Sequence, residues 1–125
     1  MKIINEDVTA KHIWNSEPCI YNGNVTAEHI WNYAPCTYNV NVTAELYIVN
    51  EAPCIYNGNV TSERYIFNSA PCIYNANVTT EMDIYNSSPC IYNGNVTSER
   101  YIENFEPCYY KKYDDLIFNE QLIIK

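Results

Sequence analysis

The sequence predicts an all-β fold, a single-domain three-sided β-solenoid of about 18 residues per coil, on three observations. Cysteines recur at 19, 36, 54, 72, 90 and 108, each behind a proline, at intervals of 17, 18, 18, 18 and 18 residues. Within one interval the apolar positions Cys54, Val60, Ile66 and Cys72 lie six apart. The residues around them are β-branched or aromatic and are separated by Asn, Gly, Ser and Pro, the residues of corners. A repeat of this length, cut into three short strands, suits a chain that winds so that each coil hydrogen-bonds in parallel to the last, about 4.8 Å away. Six or so coils make a rod roughly 30 Å long.

The coils read in order. Asp7 to Asn15 reads as a partial copy that lacks its first third. Five full copies follow: PCIYNGNVTAEHIWNYA from Pro18, PCTYNVNVTAELYIVNEA from Pro35, PCIYNGNVTSERYIFNSA from Pro53, PCIYNANVTTEMDIYNSS from Pro71 and PCIYNGNVTSERYIENFE from Pro89. After Pro107-Cys108-Tyr109-Tyr110 the pattern dissolves into KKYDDLIFNEQLIIK. The solenoid is therefore assigned to residues 1–110 and a cap or joining segment to 111–125.

Alternation assigns the faces. On the first side Cys is expected inward, as a small buried hydrophobe, with Tyr inward and the intervening Ile55 outward. On the second side Val25, Val42, Val60, Val78 and Val96 point in, the following Thr out, and Ala27, Ala44, Ser62, Thr80 and Ser98 in. On the third, Ile13, Ile30, Ile48, Ile66, Ile84 and Ile102 never vary, whereas the column Trp14, Trp31, Val49, Phe67, Tyr85, Glu103 tolerates a charge and is read as exterior. The residue missing from the first full coil falls between Glu28 and Ile30, which predicts a bulge there in later coils.

Composition narrows the function. The 125 residues (14.5 kDa) carry 7 Lys and Arg against 15 Asp and Glu, a formal charge of -8 and a pI near 4.5, which argues against nucleic acid and anionic membranes. No apolar run approaches a membrane span and the amino terminus has no signal-like stretch, so a cytoplasmic location is expected.

The repeated residues also suggest chemistry. Six cysteines could bridge adjacent coils on spacing alone, but the cytoplasmic setting favours reduced core thiols. Asn-Val-Thr recurs at Asn24, Asn41, Asn59, Asn77 and Asn95; glycans on every coil would collide, so these asparagines are read as corner residues that stack, with two further columns, Asn22 to Asn93 and Asn15 to Asn104. The Thr column lacks the second Thr column of an ice-binding face, because Glu stands there. The glutamates 28, 45, 63, 81 and 99 (Glu28, Glu45, Glu63, Glu81, Glu99) stack like charges and are candidates for a divalent cation, with Lys11, Arg64 and Arg100 as neighbours that relieve them. His12 and His29 share a column, yet no unlike residues converge on them, so no enzyme activity and no cofactor are expected.

Written as Gly23-Asn24-Val25-Thr26-Ala27-Glu28-His29-Ile30, the coil resembles the bactofilins, bacterial polymer-forming cytoskeletal proteins. Over roughly residues 7–108 the resemblance implies a right-handed β-helix that joins end to end into filaments without nucleotide. The left-handed hexapeptide-repeat solenoids of acyltransferases also give 18 as three times six; Ala52 and Gly58 supply their small residue and Arg64 does not. A solenoid of that kind would act as a ligand-binding or enzymatic oligomer through its side faces. Spacing alone leaves the hand open.

Self-association is expected at the ends, where a terminal coil leaves backbone groups and core unpartnered. The candidates are Ile3 and Ile4 at one end, and Leu116, Ile117, Phe118, Leu122, Ile123 and Ile124 at the other.

Overall fold

The computed structural model describes residues 1–111, 117–118 and 121–124, with side chains through Lys111, and every regular element among them is a β-strand. All the strand pairs among the described residues are parallel, and they stack about six turns of a solenoid. The first side is a sheet of seven strands, Lys2–Ile4, Cys19–Tyr21, Cys36–Tyr38, Ile55–Tyr56, Ile73–Tyr74, Ile91–Tyr92 and Tyr109–Tyr110. The second and third sides belong to one sheet of eleven strands that bends around the interior.

Register places like on like. Val42 pairs with Val25 and Val60, and Ile48 with Ile30 and Ile66, so each column of the sequence becomes a line of side chains along the axis. The cysteine side resolves as expected. Cys54 and Tyr56 are buried and Ile55 is 38% exposed. The six cysteines are free thiols.

One expectation needs correction. The first coil does not lack its first third: Lys2, Ile3 and Ile4 pair with Cys19, Ile20 and Tyr21 and build that side. Their residue types hide the match, because a strand at the end of a stack has one neighbour and needs only extended backbone to join it. Within the segment assigned as a cap or joining piece, Ile117–Phe118 lies along Val96–Ser98, and Gln121–Ile124 along Tyr101–Asn104. Leu116 lies outside the described residues.

The predicted bulge is present. Val8–Asn15 and Val25–Asn32 run unbroken through the second and third sides, and the register shifts between Ala27 and His29, where Val42–Asn50 carries its extra residue. Later coils break there into two strands, Val60–Ser62 and Tyr65–Asn68 being the first such pair. At another corner the coils come so close that side chains must alternate. A Cβ on Gly58 would lie 2.4 Å from the Val40 carbonyl, and one on Gly94 2.4 Å from that of Ala76.

Candidate functional site

The interior is a polar spine inside an apolar wall. Tyr21, Tyr38, Tyr56, Tyr74, Tyr92 and Tyr110 stack with ring centroids 4.8 to 5.0 Å apart and planes within 5° of parallel. Each phenol is a polar group in a dry interior and needs a partner. The Tyr56 hydroxyl donates to Asn50 Oδ1 at 2.8 Å, and the Asn50 amide donates to Asn68 Oδ1 at 2.9 Å and to the Tyr74 hydroxyl at 3.2 Å. The same three bonds recur coil after coil. The Asn15 to Asn104 column, read from sequence as a corner column of stacked amides, does stack in this way, and it is also buried and holds the tyrosines. Burial pushes the phenols of Tyr38, Tyr56, Tyr74 and Tyr92 well above the ordinary tyrosine range, and it raises the Cys19 thiol.

The other two Asn columns differ from each other. The exposed Asn22 to Asn93 column is an amide ladder, with Asn57 donating to Asn39 at 2.8 Å. In the Asn24 to Asn95 column each side-chain oxygen instead accepts the backbone N–H of the next coil, as Asn41 does from Asn59 at 3.0 Å. Asp7 opens that column by accepting from Asn24.

Outside, the candidate residues remain in rows. Glu45, Glu63, Glu81 and Glu99 are exposed and Glu28 is half-buried. Among the described residues no three His, Cys, Asp or Glu side chains converge as a metal site. Arg100, expected beside the glutamates, lies 3.7 Å from Asp83 instead. Asp83 stands in a column otherwise made of His and Tyr, and is buried beneath Arg100 while accepting from the Tyr85 hydroxyl at 2.8 Å and the Tyr101 N–H at 3.1 Å. Burial first, then that bond, pushes the Tyr85 phenol up to about 12. His12 and His29 stack at 4.8 Å, with Trp14 against the first at 5.4 Å and Tyr47 against the second at 4.5 Å.

One feature of the side faces escaped the sequence reading. The outward column Trp14, Trp31, Val49, Phe67, Tyr85 is aromatic except at Val49, and there a recess of about 470 Å³ opens, lined by Trp31, Tyr47, Val49, Glu51, Tyr65, Phe67 and Ser69. The signal was present: one small residue in a row of rings. Its meaning needs the register that sets Trp31 and Phe67 directly on either side of Val49.

The ends complete the inventory. At the amino-terminal end Lys2–Ile4 and Val8–Asn15 each pair on one side only, Met1, Ile3 and Trp14 are exposed, and Ile4 is half-buried. At the other end, among the described residues, Tyr109–Tyr110, Ile117–Phe118 and Gln121–Ile124 likewise pair on one side only. Comparison with protein-family models, curated proteins and solved structures finds no match to this chain. Among the described residues no helix is long and apolar enough to cross a membrane.

Proposed function

We propose that this chain is a structural protein of the cytoplasm, without enzymatic activity, that assembles end to end by adding the first coil of one copy to the last strands of another, as the bactofilin resemblance implies. The observation that carries this reading is that, among the described residues, both sheets finish at each end of the stack in strands that pair on one side only. Because every strand is parallel, the two edges are complementary rather than identical. Head-to-tail contact of this kind does not close on itself and leads to filaments.

Continuing the observed register across the joint sets Ile4 beside Tyr110, Ile13 in the column of Leu122, and Ala10 in the column of Phe118. Each added copy would satisfy a full coil of backbone donors and acceptors and cover the exposed apolar end. Negative-stain microscopy with sedimentation tests the reading. The native protein is expected to form filaments at micromolar concentration, and Ala10→Lys, an inward charge on the end coil, is expected to leave folded monomers. Native protein that sediments only as monomer overturns the proposal.

A further inference from the structure

We infer that the recess over Val49 is a binding site for a small organic cation carrying a quaternary ammonium group. The inference does not depend on end-to-end assembly. Trp31, Val49 and Phe67 occupy the same column on three successive coils, so Trp31 and Phe67 stand two strand spacings, about 9.6 Å, apart. Val49 is 9% exposed and floors the gap.

Phe67 stacks on Tyr85 at 4.9 Å and 10°, which turns its opposite ring face along the axis toward Val49. The recess of about 470 Å³ has room for a tetramethylammonium group, which N–C bonds of about 1.5 Å and methyl contact radii near 1.9 Å make roughly 6 to 7 Å wide.

The lining has the chemistry such a cation requires. Tyr47 and Tyr65 flank the gap, so four aromatic side chains surround it, and the negative faces of rings attract a cation that cannot donate a hydrogen bond. Glu51 stands at the rim, positioned by the hydrogen bond that the Trp31 indole N–H donates to its Oε2. A formal charge of -8 raises the local concentration of any cation. An anion would meet only Glu51, and a neutral apolar group would gain nothing from the carboxylate.

The test uses the full chain with Trp14→Phe, which leaves Trp31 as the single tryptophan, and follows its emission at constant ionic strength. Tetramethylammonium chloride and choline chloride are the probes, and 3,3-dimethyl-1-butanol is the neutral isostere of choline. Saturable emission changes are expected with both cations, with the isostere about tenfold weaker or more. Glu51→Gln should weaken binding several-fold. Val49→Phe fills the gap and should abolish binding; if that variant does not fold, Phe67→Leu, which removes a ring and keeps an apolar wall, should weaken it. No saturable change with either cation, equal affinity for the isostere, or binding unaltered by these substitutions overturns the proposal.

Discussion

The two coils at the amino end and the coils from Val60 onward have the same interior but turn the corner between their second and third sides differently. Val8–Asn15 and Val25–Asn32 pass through as single strands, with the half-buried Ala10 and the buried Ala27 as their small inward residues. Val42–Asn50 carries an added residue and stays one strand over Ala44, and from Val60 onward the strand is broken. At the break the small inward residue becomes a hydroxyl: Ser62 Oγ lies 3.0 Å from the Leu46 carbonyl and 2.9 Å from that of Tyr65 and shares its one proton between them, and Ser98 Oγ does the same with Met82 and Tyr101. Thr80 holds the same place, and its hydroxyl is buried with no partner. The hydroxyl therefore accompanies the broken strand and not the added residue alone, which the Val42–Asn50 coil accommodates with Ala44.

The largest test of this comparison is alkaline unfolding. The tyrosine column runs through both regions, and its phenols have a folded pKa raised above the unfolded value near 10. The neutral form belongs to the folded state, so stability is complete below pH 10 and falls as the pH rises beyond it, by about 1.4 kcal/mol per pH unit for each buried phenol that ionises only on unfolding. Ultraviolet absorbance and circular dichroism should show the buried tyrosines ionising together, in the same step as loss of the sheet. Ionisation of Tyr21 and Tyr38 ahead of Tyr56 would show that the two regions unfold separately.

Next in size is the shared wall. Ile30 and Ile66 are both 0% exposed, one in each region, so Ile30→Ala and Ile66→Ala should each cost about 2 to 5 kcal/mol in denaturant melts. A cost below half a kcal/mol at either would contradict the assigned face.

The corner itself is tested by exchanging its residues. Ser62→Ala should destabilise by about 1 to 3 kcal/mol, because it strips a partner from carbonyls at the break. Ala27→Ser should be unfavourable by a similar amount, since the unbroken strand uses its carbonyls in the ladder and the buried hydroxyl finds none. If Ala27→Ser is neutral, the serine does not respond to the break. Thr80→Val is the smallest effect, within about half a kcal/mol of the native protein, because the hydroxyl removed has no partner to lose.

The thiols give a last comparison. Cys19, Cys36, Cys54, Cys72 and Cys90 are buried and Cys108 is half-buried. A thiol reagent should count six groups in denaturant without reductant and label Cys108 first in the native state. Three disulfides found by mass mapping would contradict the interior described here.

Much of this molecule is written in its period. An 18-residue repeat with three apolar positions six apart admits one economical solution, and because each coil touches only its neighbours, columns of the sequence translate directly into columns of the structure. That locality made the solenoid, the inward Val and Ile, the inward Cys and the corner bulge legible from residues such as Val60, Ile66, Cys54 and Glu28. Tertiary structure decided what depends on the coil above and below. It turned Asn50 from a corner residue into the partner of Tyr56 and Tyr74, gave Lys2–Ile4 a side to build, and made Val49 the floor of a gap. Each of these is set by which group lies about 4.8 Å along the axis, and that neighbour is fixed only when the chain has wound.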